Sequence, residues 1–321
     1  MKSDSSKRFI YPGIPAMWAV LSLLVLFSCG GWSNKNADGK VKDSGHTFTL
    51  PEIPPALNDR ESRAEYLVLH YWDNFDFADT LIIRDAEIAE QAFVDYIVLL
   101  PHVAKEAADA SIRSTLENAH GSEAVHRWFR NMYEKYLYDP NSPFRDEEYY
   151  ATVVESVIGD PRTDEPDKIR PAFQLEEINK NRVGTVAANF TYTLVGGSAG
   201  TLHRTRAEYT LLYFHNPDCP DCNRTKEVLE YSDVIAGMRA AGKLKILALY
   251  PDGDMQEWKT CEAVIPPGWI NARDGSPDLV VRNKLYAIRA TPSLYLLDRD
   301  KRVILKDATV NEVMGELENV E

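Results

Sequence analysis

The spacing of apolar residues changes character near residues 182–183, and that change limits the folds open to the chain. From about residue 55 the period is helical. Val125, Trp128, Phe129, Met132, Tyr133, Tyr136 and Leu137 recur at i, i+3, i+4, i+7 steps, which places them on one face of a helix. Ile88, Ala92, Phe93, Tyr96, Ile97 and Leu100 form a second such stripe, and Tyr149, Tyr150, Val153, Val154, Val157 and Ile158 a third. Ser142 and Pro143 suit the N-cap and first position of the third helix, with Asp146, Glu147 and Glu148 near its positive end. Past residue 182 the pattern becomes short β-rich runs, "VAANFTYTL", "YTLLYFHN", "KLKILALY", "PSLYLLD" and "KRVILKD". Helical stretches are expected between them at 222–241, 255–264 and 279–288. "GGSAG" and "DRDK" read as hairpin turns. A helical domain over 56–182 followed by an α/β layered sheet over 183–321 is therefore expected, and 321 residues suffice for two cores.

The N-terminus adds an export signal. Lys2, Lys7 and Arg8 precede an apolar stretch at 14–27, shorter than the roughly 20 residues of a membrane span and suited to a signal-peptide core. Leu26-Phe27-Ser28-Cys29 resembles the lipobox of bacterial lipoproteins, which implies cleavage after residue 28 and lipidation of Cys29; an uncleaved anchor with an incidental cysteine is the alternative. Residues 29–55 then read as a flexible tether, opening with the Gly-rich, polar "GGWSNKNADGKVKDSG". The body is expected in the cell envelope, held to the membrane by its lipid and facing the periplasm, since no acidic cluster follows Cys29. The formal charge of −13 argues against nucleic acid as a partner, because phosphate binding needs clustered Lys and Arg. Losing the signal removes three basic residues and one acidic, which takes the mature chain to about −15.

Four cysteines, Cys29, Cys219, Cys222 and Cys261, are too few for a disulfide scaffold at this length. In "FHNPDCPDC" an apolar strand delivers the chain to Cys219, and a helix is expected to begin there. Unpaired N–H groups and the helix dipole stabilise a thiolate at such a position. Pro220 fits the first helical position, and Cys222, one turn on and more buried, suits a resolving thiol. A zinc site would need a second ligand pair, and neither another C-x-x-C nor a close His pair exists. No metal is expected, and no cofactor beyond a redox-active disulfide. A stable structural disulfide in a binding or scaffold protein is the rival reading of the same pair.

Residues 183–321 resemble the thioredoxin-like disulfide oxidoreductases of envelope lipoproteins, through "VGTVAANFTYTL", "YTLLYFHNPDCPDC" and "IRATPSLYLLDRDKRVILKDA". The resemblance implies a thioredoxin-like mixed sheet with flanking helices. It implies Cys219 and Cys222 as the catalytic pair, a cis-proline at Pro292, and a substrate strand pairing with the backbone of Thr291. It further implies envelope proteins with disulfides or thiols as substrates and a membrane electron donor. Residues 56–182 look like the helical module of unknown function that precedes such domains, through "RAEYLVLHYWDNFDFADT" and "YLYDPNSPFRDEEYY".

The sequence departs from that family in places. Asp218 stands where a Trp is usual, and with Asp221 it sets negative charge beside Cys219, opposing the dipole and favouring the oxidised pair, hence reducing behaviour. Tyr213 replaces the buried acid of the preceding strand, and Thr225 a later carboxylate for which Glu227 is a possible substitute. His215 reads either as a proton relay or as a strand-end residue without a role. The peroxiredoxin pattern is absent, since Asn216 and Leu212 occupy its Thr/Ser and Pro positions. His70, Tyr71, Trp72, Phe75 and Phe77 are expected in the core, with a ligand groove as the alternative. Asp73, Asp76 and Asp79 are expected as caps and turn residues. Cys261 reads as a buried small residue or a third redox partner.

Overall fold

The computed structural model describes residues 47–251, 256, 258, 265–274 and 285–319. The lipobox Cys29, the tether up to residue 46, Cys261 and most of the helical stretches expected at 255–264 and 279–288 lie outside the described residues. Residues 285–288, the end of the second stretch, are irregular rather than helical.

The helical layer consists of α1 (Arg60–His70), α2 (Ala89–Leu99), α3 (Lys105–Ala119), α4 (Glu123–Tyr133), α5 (Glu147–Gly159) and α6 (Glu165–Asn179). The three stripes legible in the sequence lie on α2, α4 and α5. On α4 the stripe runs through Val125, Phe129 and Tyr133, and it continues to Leu137 through one π-helical turn over Glu134–Tyr138; all four residues are buried. Trp72 meets Phe75 and Phe129 edge-on at 5.4 and 5.0 Å, so the aromatic run at 70–77 fills this core. His70 turns outward to Asp73 at 2.8 Å, and Asp76 and Asp79 accept from the amides of Ala78 and Leu81, which makes them turn residues.

The cap expected at Ser142 does not form. The N-cap of α5 is Asp146, whose carboxylate accepts from the amides of Glu148 and Tyr149 at 2.9 and 3.2 Å. Ser142 instead donates to the Tyr136 carbonyl at 2.6 Å and closes the turn before the helix. Both residue types cap well, and Asp146 prevails because it stands directly before the first helical turn.

The sheet contains β1 (Thr191–Leu194), β2 (Ala199–Thr201), β3 (Tyr209–Phe214), β4 (Leu244–Tyr250), β5 (Ile270–Asp274), β6 (Ser293–Leu297) and β7 (Val303–Leu305), in the order β2-β1-β5-β4-β3-β6-β7. β3, β4 and β5 run parallel, while β1, β2, β6 and β7 add antiparallel edges. The central strands are apolar without alternation because both of their faces are covered. Leu211, Tyr213, Ile246 and Leu296 face the helices α7 (Pro220–Tyr231), α8 (Asp233–Ala240) and α9 (Val310–Glu318). Leu212, Phe214, Leu249 and Tyr295 face Phe190, Tyr192 and Tyr286. The helix expected over 222–241 breaks at Ser232, whose hydroxyl caps α8 through the Ile235 amide. Both expected hairpins form, with Gly197 at φ 84° and Lys301 at φ 64° taking left-handed turn positions.

The helical layer and the sheet thus have separate apolar cores, yet the described residues belong to one compact unit. No helix among the described residues is long and apolar enough to cross a membrane.

Candidate redox site

β3 ends at Phe214, and the following turn positions the first cysteine. The Asn216 side chain accepts from the Asp218 amide at 3.0 Å and its carbonyl from the Cys219 amide at 3.2 Å. Cys219 is then the N-cap of α7, with φ −88° and ψ 113°, and Pro220 occupies the first turn. Its Sγ accepts from the Cys222 amide at 3.2 Å, so the sulfur itself takes the place of a capping oxygen. The sulfur thus sits against a peptide N–H at the positive end of the helix.

Across the site, Cys219 Sγ lies 3.4 Å from the carbonyl oxygen of Thr291, whose peptide bond to Pro292 is cis. The structure therefore brings Cys219, Cys222, Thr291 and Pro292 together from two separate segments of the chain. Both thiols are free. Cys222 is 1% exposed, and burial, together with its contact with Cys219, pushes its thiol up to about 12. One sulfur is thus accessible and capped by an amide, the other enclosed and held protonated.

Asp221 forms an ion pair with Arg224 one turn along α7. The negative charge expected beside Cys219 from Asp218 and Asp221 is thereby partly offset. Glu227, the substitute considered for a carboxylate at Thr225, is exposed on the same helix, and β3 carries no buried acid. In that acid's place, Tyr213 donates its hydroxyl to the Cys222 carbonyl at 2.6 Å and ties β3 to the start of α7. The only sequence signal of this bond is a tyrosine standing where the resemblance leads one to expect a buried acid. His215 stacks on the Tyr213 ring at 5.0 Å and is 3% exposed, with no hydrogen-bond partner for Nε2. Burial, reinforced by the Lys226 charge, pushes its imidazole down to about 4 and keeps it neutral at ordinary pH.

A cavity of about 460 Å³ in the helical layer is lined by His120, His126, Asp160 and Arg162 and shares no residue with this site. Its charges are satisfied internally, Asp160 by His120 and Arg162, and Arg162 also by Glu117. Among the described residues no group of three or more His, Cys, Asp or Glu side chains is arranged to hold a metal ion.

A cysteine pair at a helix start, fed by a parallel strand and faced by a cis-proline loop, defines a thioredoxin-type site. Comparison with known proteins agrees. A thioredoxin-like protein from Bacteroides caccae is 42% identical, with 86% of this chain and 99% of that one covered and a TM-score of 0.83. The chain belongs to the thioredoxin-like proteins. The C-terminal domain of an uncharacterized Bacteroides fragilis protein is 50% identical, over 43% of this chain and 99% of that one, at a TM-score of 0.41. A domain of a possible thiol-disulfide isomerase from Cytophaga hutchinsonii is 28% identical, over 43% and 92%, at 0.38. The family model of a domain of unknown function, DUF5106, matches residues 28–181. No curated protein matches the sequence.

Proposed function

We propose that the chain is a lipid-anchored thiol-disulfide oxidoreductase of the cell envelope, working through Cys219-Pro220-Asp221-Cys222 as a reductant or isomerase of protein disulfides. The observation that carries this reading is the asymmetry of the pair. Cys219 Sγ accepts the Cys222 amide at 3.2 Å and is only partly buried, while Cys222 is enclosed and protonated.

In the reducing direction the Cys219 thiolate attacks one sulfur of a substrate disulfide. A bond forms between Cys219 and that sulfur, and the other substrate sulfur leaves as a thiolate and takes up a proton. Cys222 then gives up its proton and attacks Cys219 Sγ, which closes the pair as a disulfide and releases the second substrate thiol. Two electrons and two protons pass to the substrate. The pair is itself the redox group, so no separate cofactor or metal is required, and a membrane electron donor would return it to the dithiol. The Thr291 backbone beside Pro292 offers an edge for an extended substrate strand. Exported proteins with disulfides or thiols are the partners that fit a body tethered through Cys29 and facing the periplasm; nucleic acid does not fit a chain of charge −13.

The test is capture. Cys222→Ala removes the resolving attack, so incubation with a model disulfide should leave a mixed disulfide on Cys219, visible by intact mass. Cys219→Ala should leave none. Absence of any adduct on the Cys222→Ala protein would defeat the proposal in favour of a scaffold with a structural disulfide.

A further inference from the structure

The loop that faces the cysteines is fastened to the helical layer directly at one end and through Asp307 at the other. Arg289, two residues before Thr291, pairs with Glu147 at 2.6 Å and with Asp307 at 3.3 Å. Its guanidinium donates to the Tyr138 carbonyl and lies 4.2 Å from the centre of the Tyr138 ring. Ser293, two residues after Thr291, donates to Asp307 at 2.8 Å and to the Ala290 carbonyl at 2.9 Å. Asp307 is in turn held by Arg145 at 3.3 Å, and Glu147 by Lys306 at 2.7 Å. Tyr138, Arg145 and Glu147 belong to the helical layer; the other residues belong to the sheet domain.

These five charged side chains are only 7–19% exposed, so their attractions are weakly screened and their geometry is demanding. Three cations meet two carboxylates, which gives each carboxylate more than one cationic partner. A seam built only to join two domains has no need to converge on one short loop. Here it brackets the Thr291–Pro292 segment, whose carbonyl touches the reactive sulfur at 3.4 Å.

We propose that the helical layer is part of the redox site, with Glu147 and Arg289 acting as positioning residues that hold the Thr291 carbonyl and its substrate-facing edge against Cys219. The proposal assigns a task to the helical module and rests on the oxidoreductase reading only for the substrate edge. Slackening the seam lets the loop withdraw, frees Cys219 Sγ from the carbonyl and leaves enclosed Cys222 unchanged.

The experiment uses the full chain with Glu147→Gln and Arg289→Gln combined, which removes the tie while Arg145 still pairs with Asp307 and Lys306 still donates to the Glu177 and Ile178 carbonyls at 3.4 and 2.8 Å. Glu117→Gln, which breaks a pair made wholly within the helical layer, serves as the control. Alkylation of the reduced proteins by iodoacetamide is followed at each cysteine by mass spectrometry. In the double variant Cys219 should react about threefold faster, the factor expected for loss of one weak hydrogen bond, with Cys222 unchanged. The control should match the wild type at both sites. An unchanged Cys219 rate in the double variant overturns the proposal, and so does a joint rise at Cys219 and Cys222, which would mark general loosening. The alkylation readout requires no disulfide exchange, so a wild-type protein whose Cys219 alkylates but captures no disulfide would defeat the oxidoreductase reading and leave the positioning result standing.

Discussion

Acid should weaken this protein through His215, by an amount that follows from its surroundings. The ring is 3% exposed, stacked on Tyr213, without a partner at Nε2 and facing the Lys226 charge, and its pKa falls from 6.5 to about 4. A base whose folded pKa is depressed favours the native state while it is neutral. That contribution is complete above pH 6.5 and is lost progressively as the pH falls from 6.5 to about 4. At 1.36 kcal/mol for each pKa unit, about 3 kcal/mol should disappear by pH 4. His215→Phe keeps an aromatic ring against Tyr213 and removes the titration. Urea unfolding of both proteins, followed by circular dichroism between pH 7 and 4, isolates the effect, because carboxylates that titrate in this window are common to both. The stability difference should shift by about 3 kcal/mol in favour of the variant as the pH drops. A difference that stays constant across the range would refute this, and would mean that His215 finds a partner or solvent on protonation.

Two further outcomes follow from packing and processing. A Cβ at Gly200 would lie 2.5 Å from the buried Tyr192 ring, whose hydroxyl is bonded to Thr205 at 3.0 Å, so Gly200→Ala should cost about 1–3 kcal/mol in denaturant unfolding of the full chain. If Cys29 is lipidated, Cys29→Ser should abolish both signal processing and labelling by fatty acid in cells, and equal labelling of the mutant would exclude the anchor.

The sequence revealed most where the signal was local. The stripe from Val125 to Leu137 needed only the helical period, and the cysteine pair only its strand and the helix that follows. Capping was less legible, since Ser142 and Asp146 are both good caps and the choice depends on where the chain turns. Ser232 stopped a helix that periodicity carried on to residue 241, because its hydroxyl caps α8. The seam left no trace in the sequence. Glu147 and Arg289 are 142 residues apart, and an arginine in "IRATP" or a glutamate in a helix's first turn is unremarkable until folding brings the two together. In the sequence Tyr213 stands out only for the acid it replaces, whereas its bond to the Cys222 carbonyl depends on tertiary geometry.

The reduction potential of the Cys219–Cys222 pair, obtained by equilibrating the full chain with dithiothreitol redox buffers, bears most directly on the proposed activity. An accessible Cys219 opposite an enclosed Cys222 predicts ready, reversible exchange and a potential above about −300 mV. A potential below about −300 mV, with a pair that resists dithiol reductants, would contradict an exchange function and identify the disulfide as a structural staple.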